Sequence, residues 1–165
     1  MNQSKNTVGR LLLSILTVAA VLFISSAVWG IKINNTPSLP VGLYQKIDRT
    51  IVELGDTVNF ALPKDNKVIN NNFDRNPYKH RPQYFLKLVY GVAGDCIYKD
   101  STEVIVGVHH LPLLPVQESI LQAESIPEGY VFVGTPHERS FDSRYYGLIK
   151  ISSITGVYKP LLTRN

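Results

Sequence analysis

Hydrophobic positions divide the chain into one long apolar run and a series of short segments. Residues 11–31 form a run of 21 residues without a charged side chain. As a helix, this run would extend roughly 31 Å at about 1.5 Å per residue, which matches the apolar core of a bilayer. The shorter segments have the length and composition of strands. The pattern predicts an N-terminal transmembrane helix over residues 11–31 and a mainly β domain over residues 32–165.

Strand-like patterns and turn residues divide the second part of the chain. The clearest strands are residues 42–47, 57–62, 84–90 and 130–134. Residues 96–99 and 103–108 predict a hairpin, and residues 148–157 predict the last one or two strands. Residues 64–82 are polar and rich in asparagine, so they predict a surface loop or a partly disordered insertion. Residues 117–124 predict a short helix.

Charges before the apolar run predict its orientation. Lys5 and Arg10 precede the run, and residues 1–10 contain no acidic side chain. This bias predicts that residues 1–10 lie in the cytoplasm and residues 32–165 on the far side of the membrane. In a bacterium, that arrangement is an inner-membrane protein with its second part in the periplasm. The alternative is a cleaved signal peptide, because the small residues at 25–27 suit such cleavage. The uncharged run exceeds the usual apolar core of a signal peptide, so a retained single-pass anchor is the preferred interpretation.

Composition narrows the function classes. The net charge of the 165-residue chain is +4, but the basic residues are dispersed, so nucleic acid is not an expected partner. Cys96 is the only cysteine, which excludes an intramolecular disulfide, and its neighbours indicate a small apolar strand residue. The four histidines have no spacing that holds a metal ion on one face. Neither a metal nor another cofactor is expected.

A segment framed by two prolines carries the candidate nucleophile, Ser38. Pro37 and Pro40 have a restricted φ and push the residues before them toward extended conformations, so Ser38 lies on a stiff segment. Seven residues separate it from residue 31, a reach of at most about 25 Å. Ser38 is therefore expected close to the membrane surface. The plain alternative is a juxtamembrane turn in which Ser38 is only a solvated hydroxyl.

A lysine interrupts the most apolar of the predicted strands. On a strand, Lys87 shares one face with Phe85 and Val89, and the opposite face is apolar as well. Burial disfavours the ammonium form, and a neutral amine is a competent general base toward a hydroxyl. The alternative is a lysine on an edge strand whose stem covers apolar surface while its head stays in water.

Three polar side chains alternate along the segment before the last predicted strands. In an extended segment, Ser140, Asp142 and Arg144 would line one face as a hydroxyl, a carboxylate and a guanidinium. The alternative is a local Asp–Arg pair at the edge of a loop, which would contribute little to stability.

Taken together, these stretches resemble the signal peptidase I superfamily, and most closely its conjugal transfer branch, the TraF-type peptidases that process pilin precursors. The matching stretches are residues 36–44, 55–58, 87, 91–95 and 140–147. General signal peptidases usually have Gly, Met, Arg and Pro where this chain has Pro37, Leu39, Leu88 and Ala93. These departures favour a dedicated substrate over a housekeeping role.

The resemblance implies a role for each candidate residue. It implies that Ser38 is the nucleophile, Lys87 its general base and Asp142 the third catalytic residue. The amide of Ser38 and the hydroxyl of Thr36 would form the oxyanion hole. Ser140 would help to orient Lys87, and Arg144 would hold the loop that contains both Ser140 and Asp142.

The implied function is that of a membrane-anchored serine endopeptidase with a Ser/Lys dyad. It would cleave exported precursor proteins, such as a conjugative pilin precursor, with either water or an amine as the final acceptor of the acyl group. The implied fold is an antiparallel β catalytic domain that lies against membrane lipid. Two alternatives remain, a general type I signal peptidase and a non-catalytic, membrane-tethered assembly factor of a conjugation or secretion apparatus.

Overall fold

A computed structural model describes residues 10–18, 20–21, 29–61, 65–74, 84–114 and 119–164. Within these ranges the chain is mainly β, and every pairing between strands is antiparallel. The strands are β1 (Ile31–Asn34), β2 (Val41–Ile47), β3 (Thr57–Ala61), β4 (Tyr84–Gly91), β5 (Ile97–Lys99), β6 (Glu103–Val106), β7 (His109–Pro112), β8 (Tyr130–Gly134), β9 (Ile149–Lys150) and β10 (Ile154–Arg164). The predicted antiparallel β domain is confirmed.

The strands form two sheets. A seven-stranded sheet has the order β1-β2-β10-β3-β4-β8-β9, and β5, β6 and β7 form a smaller meander. Two short helices, α1 (Lys67–Asp74) and α2 (Ser143–Tyr146), and a 3-10 turn (Ile151–Ser153) complete the described elements that follow β1. In this order β4 lies between β3 and β8, whereas β1 is an edge strand.

Apolar side chains cover both faces of the central strands. On one face Val58, Phe60 and Val89 belong to a buried cluster with residues of β8, β9 and β10. On the other face Tyr44 and Tyr158 pack with Leu39. Because β3 is covered on both sides, its first four residues are all buried. The central part of the sheet is therefore a dry platform beside the segment that carries Ser38.

Two local predictions differ from the structure. Residues 67–74, predicted as loop, form α1, because Val68 and Ile69 are buried and Asn66 accepts hydrogen bonds from both of their amides. Residues 62–64 and 75–83 lie outside the described residues. The helix predicted over residues 117–124 is absent from residues 119–124. Glu124 instead accepts the Ile97 amide, next to a β-bridge between Ser125 and Cys96.

Two further details correct the sequence analysis. The hairpin of β5 and β6 continues into β7 through a turn at Gly107, whose φ of 58° favours glycine. Cys96, expected to be a small apolar strand residue, lies in an isolated β-bridge and is exposed. It lies just before β5, where only the next residue, Ile97, points into the core.

The N-terminal apolar run is described in part. Residues 10–18 and 20–21 are helical, and residues 19 and 22–28 lie outside the described residues. Residues 29 and 30 form a turn and Ile31 begins β1, so the helix predicted to reach residue 31 ends earlier. No helix among the described residues is both long enough and apolar enough to span a bilayer.

Candidate active site

Ser38 lies on the connection between the edge strand β1 and β2. Residues 35–40 make this connection, and Ser38 itself is half-buried. Leu39 is buried against Tyr44 and Tyr158, which anchors the segment to the sheet. Gly42 follows with a φ of 151°, and a Cβ there would overlap the backbone of Leu162 on β10. Leu39 and Gly42 thus hold the connection against the sheet, and Ser38 lies at the surface of this connection.

The side-chain amide of Asn34 holds this connection in shape. Its Nδ2 donates to the carbonyl oxygens of Thr36 at 2.9 Å, Leu39 at 2.9 Å and Pro40 at 3.2 Å. Its Oδ1 accepts the Thr36 amide at 3.3 Å and the Thr36 hydroxyl at 2.9 Å. The sequence analysis missed Asn34. Its position directly before the Pro-framed segment was the available clue, since asparagine side chains often bond to nearby backbone in turns.

The same contacts orient the hydroxyl of Ser38. Ser38 Oγ lies 3.0 Å from Thr36 Oγ1. The Thr36 hydroxyl has a single hydrogen, which it donates to Asn34 Oδ1, so Ser38 is the donor in its bond with Thr36. Thr36, expected to be an oxyanion donor, is therefore already engaged by Asn34 in this structure.

Lys87 is buried in the middle of the seven-stranded sheet. Only 5% of its surface is exposed, and it pairs with Val58 of β3, so the alternative of an edge-strand lysine with its head in water is wrong. Its Nζ donates to Ser140 Oγ at 2.7 Å. Burial lowers the pKa of Lys87 to about 8, the charge of Asp142 raises this pKa, and the charge of Arg144 lowers it. A substantial fraction of the amine is thus neutral near pH 8.

Asp142 and Arg144 form a fully buried ion pair. Arg144 donates from Nε to Asp142 Oδ1 at 2.8 Å and from Nη2 to Asp142 Oδ2 at 2.7 Å. The segment is not extended, as the sequence analysis assumed, because Asp142 caps α2 by accepting the Arg144 amide. The one-turn helix brings the two side chains together, and the interpretation of a weak pair at a loop edge is wrong.

The guanidinium of Arg144 also holds the loop before α2. It donates to the carbonyl oxygens of His137 at 3.2 Å, Ser140 at 3.2 Å and Pro112 at 2.7 Å. The last of these bonds links the loop to β7. Because Ser140 is the partner of Lys87, these contacts determine indirectly where the amine lies.

One cavity brings several of the candidate residues together. It has a volume of about 990 Å³ and lies between the β1 segment and β4. Four of the six predicted site residues line it, namely Thr36, Ser38, Lys87 and Ser140. Asp142 and Arg144 do not line it. Within the described part of the chain, no hydrogen bond joins Ser38 to Lys87, whose amine bonds to Ser140 instead.

A second, smaller cavity adjoins Ser38. Its volume is about 410 Å³, and it shares Pro37, Ser38 and His137 with the larger cavity. The sequence analysis considered His137 only as a metal ligand. Among the residues described, no three His, Cys, Asp or Glu side chains come close enough to hold a metal ion. The arrangement thus offers a hydroxyl nucleophile and an amine of lowered pKa in one cavity, with space on two sides of the hydroxyl.

Comparisons with known proteins agree on one family. The family model described as "Signal peptidase, peptidase S26" matches residues 5–162. A "Probable conjugal transfer protein TraF" of Sinorhizobium fredii is 34% identical over 170 residues, which cover 92% of this chain and 87% of that protein. A "Plasmid transfer protein TraF" of Escherichia coli is 30% identical over 165 residues, covering 87% and 90%.

One solved structure aligns with part of the chain. The crystal structure of a signal peptidase I from Enterococcus faecalis V583 aligns with a TM-score of 0.38 and 22% sequence identity. The alignment covers 65% of this chain and 96% of that one.

Proposed function

The chain belongs to the signal peptidase family, peptidase S26, and on that premise we propose that it is a serine endopeptidase whose nucleophile is Ser38 and whose general base is Lys87. One observation carries the proposal: Ser38 and Lys87, whose buried amine has a pKa of about 8, line the same cavity. Lysines are rarely buried unless paired, and a buried amine of lowered pKa beside a serine is the arrangement that a nucleophile–base pair needs.

The proposed reaction begins when Ser38 Oγ attacks the carbonyl carbon of the scissile bond and its proton passes to Lys87 Nζ. When the C–N bond breaks, Lys87 returns that proton to the leaving amine, and an ester remains on Ser38. Water then attacks the ester, again with Lys87 as base, and releases a carboxylic acid and free Ser38. The cycle requires the Ser38 hydroxyl to leave Thr36 and turn toward Lys87, a rotation about χ1 between staggered conformers.

The remaining predicted residues support this pair in different ways. Ser140 holds the Lys87 amine through a direct hydrogen bond. Asp142 acts on Lys87 through its charge, since its carboxylate oxygens bond to Arg144. The Ser38 amide is the proposed oxyanion donor, and Thr36 joins it only if its hydroxyl leaves Asn34.

The proposed substrate is an exported precursor protein, and specifically a conjugative pilin precursor. Support comes from relatives that are named as conjugal or plasmid transfer proteins and from the residues at positions 37, 39, 88 and 93, which differ from those of general signal peptidases. The acyl-enzyme also allows an amine of the substrate to replace water, which would cyclise the product. Mass spectrometry separates the two products, because the cyclic one is lighter by one water.

The proposed location is the bacterial inner membrane, with a single-pass anchor that ends before β1 begins at Ile31 and with the β domain in the periplasm. The uncharged run and the preceding Lys5 and Arg10 support this proposal. Extraction of membranes with alkaline carbonate tests it. The full chain should stay in the pellet, whereas a chain beginning at residue 32 should be released.

The test of the proposed activity is cleavage of a pilin precursor by the full chain in detergent. Ser38→Ala and Lys87→Ala should each abolish cleavage, while Ser101→Ala and Lys150→Ala, which change exposed residues outside both cavities, should not. Full cleavage by either cavity variant would refute the dyad and favour a non-catalytic assembly factor. Equal cleavage of an unrelated secretory precursor would favour a general signal peptidase.

A further inference from the structure

The two cavities beside Ser38 share an unusual charge pattern. Among the described residues that line them there is no Asp or Glu, although acidic residues are frequent elsewhere in the chain. The larger cavity has Lys32 and Arg139 on its lining, the smaller has Arg164, and His137 lines both. Any substrate segment that enters therefore meets cations without competing carboxylates.

The smaller cavity is the better built of the two for a charged ligand. Arg164 pairs with Val41 in the ladder between β10 and β2, so its backbone is held next to the Ser38 segment. Its guanidinium has no ion pair or hydrogen bond with any residue that the structure describes. The rest of the lining, apart from His137 and Ser38, is apolar: Pro37, Leu39, Pro40, Val41 and Pro136. An exposed guanidinium with five donors thus lies at the edge of an apolar cavity, with no protein partner among the described residues.

His137 supplies a second donor to the same cavity. Its Nδ1 accepts the backbone N–H of Arg139 at 3.1 Å. Because Nδ1 accepts this hydrogen bond, the ring hydrogen lies on Nε2. His137 therefore offers one donor beside the five of Arg164, and no carboxylate among the described lining residues competes for them.

Two cations of the larger cavity are already engaged. Lys87 donates to Ser140, and Lys32 Nζ lies 5.1 Å from the ring centre of Tyr84 and 5.9 Å from that of Tyr158, within the range of cation–π attraction. Arg139, like Arg164, is exposed and has no ion pair among the described residues. The smaller cavity differs in that its cation adjoins a mainly apolar lining, which favours selection by charge there.

We propose that the smaller cavity binds a carboxylate of the substrate close to the scissile bond, with Arg164 and His137 as its donors. This inference rests on the proposed peptidase function and adds a substrate class to it: precursors with an acidic side chain, or a free C-terminal carboxylate, a few residues from the cleaved bond. Guanidinium binds carboxylate by paired, charge-assisted hydrogen bonds, which gives both affinity and orientation. The cavity shares Ser38 with the larger one, so a segment held there lies beside the nucleophile.

Matched peptides provide the test, with the full chain in uncharged detergent. In one series of peptides, Glu or Gln lies within three residues of the scissile bond, on either side. In a second series, the peptide ends within three residues after the scissile bond, and its C-terminus is either a free carboxyl group or an amide. We expect kcat/KM about tenfold higher for Glu than for Gln on one side only, with the preference falling as salt rises. The second series shows whether a terminal carboxylate serves as well as a side chain.

Arg164→Gln should lower kcat/KM for the preferred Glu peptide about tenfold and leave the Gln peptide unchanged. Lys159→Gln, which removes a charge from an exposed position of the same strand outside both cavities, should change neither. Equal cleavage of Glu and Gln peptides would overturn the inference and leave the peptidase function intact. Absence of cleavage of every peptide would overturn both.

Two further outcomes also contradict the proposal. If Arg164→Gln slows both peptides equally, Arg164 has a structural role and no selectivity. If it weakens binding to vesicles of anionic phosphatidylglycerol while the Glu-to-Gln ratio is unchanged, the guanidinium serves the lipid surface and not the substrate.

Discussion

Lys87 Nζ lies 2.7 Å from Ser140 Oγ, although the two residues are 53 positions apart in the chain. The bond joins the central strand β4 to the loop that Arg144 holds through three carbonyl oxygens. It gives the amine a defined position at the cavity that Ser38 also lines. Lys87 is thus held by Ser140, and Ser140 lies on the loop that the Asp142–Arg144 ion pair stabilises. Substitution of each of these residues should have a measurable effect.

The activity should depend on the protonation of Lys87. Burial lowers the pKa of Lys87 to about 8, and only the neutral amine accepts the Ser38 proton. We expect kcat/KM to rise with pH through an apparent pKa of about 8 and to level off above it. A pH–rate profile with a peptide substrate measures this. A profile that is flat from pH 6 to 10, or one with its midpoint at the ordinary lysine value, would contradict the role of Lys87 as base.

Removal of the Ser140 hydroxyl should impair the base without removing it. Ser140→Ala leaves the Lys87 amine without its partner, so kcat should fall about 10- to 100-fold, the range of misplaced general bases. Ser143→Ala is the matched control. This neighbouring buried serine accepts the Val133 amide and does not contact Lys87. Its loss should cost stability alone, and equal kcat values for the two variants would argue against a specific role for Ser140.

Neutralisation of Asp142 should shift the pH profile. The charge of Asp142 raises the pKa of Lys87 and that of Arg144 lowers it, so Asp142→Asn should move the midpoint of the profile to lower pH. It also leaves the Arg144 charge buried without a partner, at an expected cost of about 3–5 kcal/mol in unfolding free energy. Active-site titration with an acylating probe corrects for unfolded protein. A midpoint that moves to higher pH would contradict the electrostatic assignment, and Asp100→Asn, at an exposed turn, should leave the midpoint unchanged.

Loss of the Asn34 amide should disorganise the segment that carries the nucleophile. Asn34→Ala removes three donated and two accepted hydrogen bonds within residues 34–40. We expect kcat to fall at least tenfold with a smaller change in KM, because Ser38 loses its placement. Asn66→Ala is the control for stability, since Asn66 also makes three bonds to backbone groups but lies outside both cavities. Equal loss of kcat in the two variants at equal stability would contradict a positioning role.

The buried amine should make stability depend on pH. Lys87 has a pKa of about 8 in the folded chain and 10.5 in its ordinary state, so between these values the unfolded chain binds more protons. Stability should therefore rise as pH increases from about 8 toward 10.5, by up to about 3 kcal/mol from this group, and stay low and flat below pH 8. Lys87→Met should lack that rise. Urea denaturation of both proteins at pH 7, 8.5 and 9.5 measures the difference, and parallel pH dependence would contradict it.

Elements that depend on local sequence were predicted correctly, whereas elements that depend on contacts between distant residues were missed. The strands at residues 42–47, 84–90 and 130–134 followed from local composition and are confirmed, and so is the mainly antiparallel β domain. The helix α1 was missed because its burial comes from two apolar residues within a polar stretch. The strand β7 was missed because the predicted hairpin ended at residue 108, and prolines are unfavourable within strands, whereas Pro112 is the last residue of this one.

For the candidate site, the sequence by itself determined the chemical types and their local constraints. A serine between two prolines and a lysine within an apolar strand follow from short-range sterics and alternation, which need no knowledge of the fold. The tertiary structure alone decided that Lys87 bonds to Ser140, that Asp142 pairs with Arg144 and that Asn34 holds Thr36. These contacts depend on sheet order, on a one-turn helix and on burial. A strand pattern contains none of these, because hydrogen bonds between distant side chains form only after the backbone has brought their elements together.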